Sequence, residues 1–245
     1  MISTVISYCS LDQRFIHAVI EEAKKFSHDI TLVCFDHLLN GSPDNVSDVL
    51  DIPGVKTIVL PFDRSRPSRY LHSLLRWEGA QHAQSEWILF LDADEILDGD
   101  GFKSWLDTNQ SWDFDFSTFD CYWYFRDPKY QATTKEHAGL LMRRGQLDST
   151  VHFAEGERWA YIWRPNVRVR NNITDHQGQP LMHHYSWVRT QQEMLAKVGG
   201  WGHKHDKDWA TLINEEFSRE FNGTDFVHGY TYVNVENYYN INIKL

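Results

Sequence analysis

The sequence predicts an α/β fold, in which a mostly parallel sheet flanked by helices leads into a mixed C-terminal half. Three observations support this prediction. Strand-like and helix-like segments alternate in the first half, and a near-continuous apolar run ends at Asp92. A segment dense in alternating aromatic residues begins at Trp112. With 245 residues, the chain suits one large domain, or a domain with a C-terminal extension.

The elements of the first half follow one another in a regular order. Strands are predicted at Thr4–Tyr8, Asp29–Asp36, Gly54–Leu60 and Glu86–Leu91, with amphipathic helices at Asp12–Phe26 and Ser68–Ala83. The fourth strand is apolar at almost every position, as expected of a strand buried on both faces of a parallel sheet. Strands separated by helices indicate βαβ units with right-handed crossovers. Because ligands of such sheets bind at the carboxyl ends of the strands, a site is expected just after Leu91.

The second half has a different pattern. Its strand candidates lie within Trp112–Phe125, where aromatic residues alternate, and at His137–Arg143 and Leu181–Ser186. A helix is predicted from Thr190 to about Gly199, because Thr190 and Glu193 have the spacing of a capping box. The segment from Gly223 onward is rich in Asn and Tyr and carries no clear periodicity.

Composition narrows the classes of partner. The formal net charge is −10, from 34 acidic and 24 basic residues, so the chain lacks the basic footprint of a nucleic-acid-binding protein. An anionic ligand would therefore need a local basic cluster or a bound cation. No apolar stretch reaches the ~18 residues of a membrane span, and no signal peptide precedes the first strand. Three scattered cysteines predict free thiols, so we expect a soluble, cytoplasmic protein.

Three carboxylates follow the fourth strand, at Asp92, Asp94 and Glu95. One interpretation is a solvated acidic turn, or the N-terminus of a helix near Gly101–Leu106, where acidic residues suit the helix dipole. The other is a metal site. Mg²⁺ and Mn²⁺ prefer oxygen ligands and commonly bridge a carboxylate to substrate phosphates, which an acidic protein would need in order to bind a diphosphate.

The wider segment Arg76–Glu95, RWEGAQHAQSEWILFLDADE, resembles the stretch that leads into the Asp-x-Asp motif of family 2-like glycosyltransferases with the GT-A fold, which is Rossmann-like. The positions in register are Arg76, Gly79, Ala83, Glu86, Trp87 and the tetrad Asp92–Glu95. The resemblance implies a nucleotide-sugar donor and a Mn²⁺ or Mg²⁺ ion on Asp92 and Asp94. It implies donor contacts from Tyr8, Ser10, Asp36, Arg76, Asp92, Ala93 and Asp94. It also implies a nucleotide-sugar-binding half over residues 1–110, an acceptor-binding half over 111–222 and an extension over 223–245.

Further roles are expected downstream. Transfer with inversion, which the resemblance favours, needs a general base to deprotonate the acceptor hydroxyl. Glu155 and Glu157 are the first candidates and Asp120 and Asp175 the second, with exposed loop carboxylates as the simpler interpretation of each.

The run His184-Tyr185-Ser186-Trp187-Val188-Arg189 resembles the His-Tyr-Ser-x-Val-Arg run of the family, which makes His184 the expected third metal ligand. His203, His205 and Asp206 could form a second metal cluster, although a polar helix end is the simpler interpretation, and Lys197, His203 and Lys204 could cover the diphosphate. Trp123 and Tyr124 could form an acceptor platform, or belong to the core.

Together these features predict a metal-dependent glycosyltransferase that moves a sugar from a nucleotide-diphosphate sugar to a glycan or other hydroxyl acceptor. A sugar nucleotidyltransferase is one alternative, but it needs a Gly-rich loop after the first strand, and Cys9–Arg14 contains no glycine. A non-catalytic carbohydrate-binding module is the other alternative, and it would need neither metal nor nucleotide.

Overall fold

The computed structural model describes residues 1–109, 112–154, 158–170, 172–200 and 204–243. Its strands are β1 (Ile2–Tyr8), β2 (Asp29–Phe35), β3 (Lys56–Leu60), β4 (Trp87–Asp92), β5 (Glu95–Leu97), β6 (Phe116–Phe125), β7 (Asp127–Arg143), β8 (Met182–Trp187) and β9 (Tyr232–Asn234). Its α-helices are α1 (Gln13–Lys24), α2 (Ser68–Gln81), α3 (Gly99–Thr108), α4 (Ser149–Ala154), α5 (Gln191–Gly200) and α6 (Trp209–Phe217).

One mixed sheet contains all of these strands, in the order β3-β2-β1-β4-β7-β6-β8-β5, with β9 paired to β7. The first four strands of this order are parallel to their neighbours. Strand β7 then runs antiparallel to both β4 and β6, while β6 and β8 are parallel. The predicted fold class is therefore confirmed, with a parallel half followed by a mixed half. None of the helices in the described part of the chain is both long and apolar enough to cross a membrane.

Helix α2 packs closely on the parallel strands because of Gly79. A Cβ atom at Gly79 would lie 2.3 Å from Val5 Cγ1 and 3.1 Å from Val33 Cγ2, so only glycine permits this approach. The glycine position of the Arg76–Glu95 pattern thus has a packing reason, and the contact fixes α2 relative to the end of β4.

The predicted capping box of α5 is present. The Glu193 backbone N–H donates to Thr190 Oγ1 at 3.3 Å, and the Thr190 N–H donates to Glu193 Oε2 at 2.8 Å. Helix α5 therefore begins where the sequence places it.

Two parts of the sheet differ from the prediction. Strand β7 has 17 residues and begins at Asp127, well before His137. Its first part is polar and pairs with β6 and β9 in a ribbon, so it lacks the apolar run that marks a buried strand. The acidic segment is not a solvated turn, because Glu95 is fully buried at the start of β5 and Asp94 is 4% exposed. That interpretation of the cluster is wrong.

Candidate active site

The segment Asp92–Glu95 lies at the carboxyl end of the parallel strands, where the sequence predicted a site. Asp92 is the last residue of β4 and pairs with Ser7 near the end of β1. A cleft of about 300 Å³ opens at this edge. The residues lining it include Ser7, Tyr8, Asp12, His37, His72, Asp92, Asp94, Trp123, His184, Ser186, Arg189, Lys197 and His228.

Two arginines hold the Asp92 carboxylate. Arg76 Nη2, from α2, donates to both carboxylate oxygens of Asp92 at 3.0 and 3.1 Å, and Arg158 Nη1 lies 3.6 Å from Asp92 Oδ2. Burial by itself raises the pKa of the Asp92 carboxyl, but Arg76 and then Arg158 outweigh it and hold that pKa below its ordinary value. Asp92 is therefore ionised at neutral pH despite its partial burial.

Three other side chains surround the Asp94 carboxylate. His184 Nε2 lies 3.6 Å from Asp94 Oδ1, while Arg189 Nη2 and Lys197 Nζ donate to Asp94 Oδ2 at 3.2 and 3.3 Å. Burial raises the pKa of the Asp94 carboxyl, but Lys197, His184 and Arg189 together lower it well below its ordinary value. The carboxylate is thus charged and held in place from two sides.

The sheet itself brings His184 to Asp94. Strand β5 pairs antiparallel with β8 so that Glu95 lies opposite His184, and the Tyr185 N–H donates to the Asp94 carbonyl at 2.8 Å. The two residues are 90 positions apart in the chain by their numbers, 184 − 94. Strand pairing places one imidazole beside one carboxylate, as the family resemblance implied.

Asp94 and His184 fit a divalent cation. Two atoms bound ~2.1 Å from one metal ion lie ~3–4 Å apart, and the separation between Asp94 Oδ1 and His184 Nε2 is 3.6 Å. The Asp92 carboxylate faces Arg76 and Arg158 instead. A cation held by Asp94 and His184 would therefore take other ligands from substrate oxygens or water, with Asp92 nearby.

A different acidic group has ligand atoms that are more closely spaced than those of Asp92, Asp94 and His184 taken together. Among the residues that the structure describes, the metal-like group of three whose ligand atoms lie within 4.8 Å is Glu22, Asp98 and Asp100. Lys25 Nζ lies 2.8 Å from Glu22 Oε2 and 2.7 Å from Asp100 Oδ2, so two of its three carboxylates share one lysine. None of its members lines the cleft.

Four cationic side chains lie beside Asp92 and Asp94, and two of them, Arg189 and Lys197, line the cleft. Arg76, Arg158, Arg189 and Lys197 all lie within ion-pair distance of Asp92 or Asp94. Arg189 is 2% exposed and also donates to the Leu11 carbonyl at 2.7 Å. Each of these cations is paired with a carboxylate, from Asp92, Glu95, Asp12 and Asp94 respectively, so the group as a whole carries no net positive charge.

Sequence reasoning gave no role to Arg158, Arg189 or His72. Arg189 is the last residue of the run that begins at His184 and resembles the family, so its position in that run could have marked it as a site residue. Arg158 follows the predicted base segment, and no local pattern marks it. His72 lies one turn before Arg76 on α2, and burial, followed by the charge of Arg76, lowers its pKa to about 4. It is therefore a neutral hydrogen-bonding group in the cleft at neutral pH.

The other predicted donor residues divide into two groups. Tyr8 lines the cleft, and its hydroxyl donates to Gln13 Oε1. Ser10 and Asp36 are not among the lining residues: the Ser10 N–H donates to Asp44 Oδ2 at 3.0 Å, and Asp36 Oδ1 accepts the Phe62 N–H at 2.9 Å. Ala93 is fully buried behind the two aspartates.

The predicted acceptor residues also divide. Trp123 lines the cleft and meets the rings of His184 and His228 edge-on, at centroid distances of 4.8 and 4.9 Å. Tyr124 is fully buried, and its hydroxyl lies 2.7 Å from His183 Nδ1, so no face of its ring is open to a ligand. Its alternation with Trp123 along β6 turns the two rings to opposite faces.

Some predicted residues lie elsewhere. Glu155, Glu157 and His203 fall outside the described residues. Asp120 accepts from Asn172 Nδ2 at 2.6 Å, and Asp175 accepts the Gln177 and Gln179 N–H groups at 2.8 and 2.7 Å. Neither of these carboxylates, nor His205, lines the cleft.

No protein-family model and no curated protein matches the sequence. Solved structures that align with this chain include a putative glucose-1-phosphate thymidylyltransferase from Bacillus anthracis, at 10% identity and a TM-score of 0.46 over 76% of this chain and 90% of that chain. The glycosyltransferase GlyE of Streptococcus pneumoniae aligns at 13% identity and a TM-score of 0.42 over 88% and 63%. TarS of S. aureus aligns at 12% identity and a TM-score of 0.44 over 89% and 72%. At these low scores the similarity carries no argument about what this chain does.

Proposed function

We propose that this protein is a metal-dependent glycosyltransferase that uses a nucleotide-sugar donor and a hydroxyl acceptor. The observation that carries the proposal is the pairing of Asp94 with His184 at the carboxyl ends of β1 and β4, beside four cationic side chains. The carboxylate suits Mn²⁺ or Mg²⁺, the imidazole suits Mn²⁺ better than Mg²⁺, which prefers oxygen ligands, and the cationic side chains suit a diphosphate. The resemblance of Arg76–Glu95 to family 2-like glycosyltransferases supports the same function.

Each part of the cleft has a role in this proposal. Asp94 and His184 would hold the cation, which would supply Lewis-acid stabilisation of the departing nucleoside diphosphate. Lys197 and Arg189 exchange their contact with Asp94 for contacts with phosphate oxygens, and Arg76 orients Asp92. Tyr8 lies on the nucleotide side and Trp123 on the acceptor side. Glu155 or Glu157 serves as the general base for an inverting transfer.

The division of the chain follows from these roles. Residues 1–110 would bind the nucleotide sugar and residues 111–222 the acceptor, with 223–245 as an extension. His228, which belongs to the extension, lines the cleft. Its backbone N–H donates to Asp225 Oδ1 at 2.6 Å, which fixes that turn.

A thermal-shift panel tests the proposal. UDP, GDP, dTDP and CMP are each added with and without Mn²⁺ to the wild type and to Asp94→Asn. A ligand at a hundred times its dissociation constant stabilises the folded state by about 2.7 kcal/mol. One nucleotide should raise the melting temperature of the wild type only with Mn²⁺, and Asp94→Asn should abolish that rise.

Asp100→Asn is the matched control, because Asp100 belongs to the acidic group paired with Lys25, outside the cleft, and its side chain is 79% exposed. It should keep the full shift. If no nucleotide stabilises the wild type with metal, or if Asp94→Asn responds as the wild type does, the proposal is wrong. A carbohydrate-binding module would instead show no response to any nucleotide, with or without Mn²⁺.

A further inference from the structure

A second pocket lies outside the cleft, on the acceptor side of the sheet. Its volume is about 370 Å³, within the range of small-molecule sites, roughly 300–1,000 Å³. It is lined by Thr118 on β6, His137 on β7, and Trp163, Arg170 and Asn172 from the segment that follows α4. None of these residues was assigned a role above.

The pocket is close to the predicted reaction centre. Phe90 pairs with Leu140 and Asp120 with His137, so His137 lies at the same end of the sheet as Asp92. Strands β4 and β6 are separated only by β7, a distance of ~10 Å at ~4.8 Å per strand. The chain also connects the two places directly, because Trp163 comes five positions after Arg158 by their numbers, 163 − 158.

One wall of the pocket is an exposed aromatic ring. Trp163 is 70% exposed, although the large aromatic residues around it are buried. An exposed tryptophan beside a concave polar surface is a common feature of binding sites, because its ring offers a rigid apolar face. The C–H face of a sugar ring matches such a face.

The opposite wall is a preorganised polar network. Thr118 Oγ1 donates to Asn172 Oδ1, and Asn172 Nδ2 lies 2.6 Å from Asp120 Oδ1 and 3.0 Å from His137 Nδ1. Because these groups fix one another, they present hydroxyl, amide and imidazole atoms to the pocket in a defined arrangement. Such an arrangement suits the hydroxyl groups of a sugar.

Arg170 adds a positive charge to this pocket. Its neighbours Arg164 and Arg168 pair with Asp148 and with Asp115. Within the described residues no carboxylate lies at ion-pair distance from Arg170, whose Nη2 donates instead to the amide oxygen of Asn109 at 3.2 Å. Its guanidinium lies 5.0 Å from the centre of the Trp105 ring, which fixes its position. Arg170 therefore brings to the pocket lining a positive charge that no carboxylate of the described residues pairs with, and its guanidinium also lies 5.8 Å from the centre of the Phe114 ring.

We infer that this pocket binds an acidic sugar residue, with its ring against Trp163 and its carboxylate at Arg170. That this sugar belongs to the acceptor rests on the proposed function. The binding itself does not, because the pocket shares no lining residue with the cleft. The enzyme would thereby extend an acidic glycan while the transferred sugar is held at the cleft.

Saturation-transfer NMR with glucuronic acid and galacturonic acid, and with glucose and galactose as neutral partners, tests this inference. The acidic sugars should receive saturation from the wild type, and the neutral sugars about fivefold less. Trp163→Ala and Arg170→Gln should each reduce the acidic-sugar signal about fivefold, while Trp163→Phe keeps most of it. Arg219→Gln, which neutralises an exposed arginine elsewhere, should change nothing.

Three outcomes would overturn the inference: no signal from the acidic sugars, equal signals from neutral and acidic sugars, or a full signal with Trp163→Ala. Asp94→Asn separates this test from that of the proposed function. It should lose the nucleotide response and keep the sugar signal, so each claim can fail alone.

Discussion

At the scale of single residues, the three carboxylates of the acidic cluster have three different sets of partners. Asp92, Asp94 and Glu95 are equivalent by composition, yet each has a different environment. Asp92 faces two arginines, Asp94 faces a histidine, an arginine and a lysine, and Glu95 is completely buried. The pattern predicted that a site is here. The pattern could not assign a separate role to each carboxylate, because all of these partners except Arg76 come from residues 63 (158 − 95) to 103 (197 − 94) positions away.

Glu95 has a structural role that can be measured. It forms a two-pronged ion pair with Arg158, which is 7% exposed, and its Oε2 accepts the Asp92 N–H at 2.9 Å. Glu95→Gln removes this two-pronged pair from a buried arginine and leaves it the longer contact with Asp92, at 3.6 Å, so we expect the free energy of unfolding to fall by about 3 kcal/mol. Urea unfolding monitored by circular dichroism measures this loss.

Glu86→Gln is the matched control for that substitution. Glu86 also pairs with an arginine, Arg143, but its side chain is 65% exposed. Because solvent screens an exposed pair, the loss should stay below about 1 kcal/mol. Equal losses for the two variants would show that Arg158 is not buried with Glu95 as described.

At the scale of elements, those with a strong local signal were predicted well. The strand ending at Asp92 and the capping box of α5 have such signals, an unbroken apolar run and a Thr-x-x-Glu spacing. Strand β5 has three residues and reads as part of an acidic turn, because its existence depends on pairing with β8. The first part of β7 is polar and becomes a strand through β6 and β9. Both depend on distant partners that no local window contains.

The contact between α2 and the sheet gives a prediction at this scale. Alanine is a better helix former than glycine by about 1 kcal/mol, so Gly79→Ala would stabilise an unconstrained helix. Its methyl group would instead lie 2.3 Å from Val5, and moving α2 away should lower the free energy of unfolding by about 2 kcal/mol. Thermal and urea unfolding measure the change.

Gly199→Ala is the control, because Gly199 is also helical and a Cβ atom there meets nothing within 4 Å. It should be neutral or stabilise the protein by up to about 1 kcal/mol. If Gly79→Ala proves as harmless as Gly199→Ala, α2 does not approach β1 as closely as described.

At the scale of the whole molecule, buried histidines connect stability to pH. Burial lowers the pKa of both His152 and His183 to about 4 from the ordinary 6.5. His152 Nε2 also donates to the Ser73 carbonyl at 2.8 Å, which holds the neutral ring in place. Between these two pKa values the unfolded chain binds protons that the folded chain does not. Stability therefore falls as the pH falls from about 6.5 and levels off below about 4.

Urea unfolding at a series of pH values across this window tests that expectation. Each histidine should contribute a slope of up to about 1.4 kcal/mol per pH unit, with stability greatest at the neutral end. His152→Gln should remove one such contribution and flatten the profile. A wild-type stability that does not change across the window would mean that these histidines are accessible to protons in the folded state.

The central claim is that Asp94 and His184 hold a divalent cation with a nucleoside diphosphate, and Mn²⁺ binding measured by electron paramagnetic resonance tests it most directly. The signal of free Mn²⁺ should decrease when wild-type protein and the stabilising nucleotide are added together. Asp94→Asn and His184→Gln should each weaken binding by about tenfold or more, whereas Asp100→Asn should not. If the free Mn²⁺ signal is unchanged by the wild type, or is reduced equally by Asp94→Asn, the cleft is not the metal–nucleotide site.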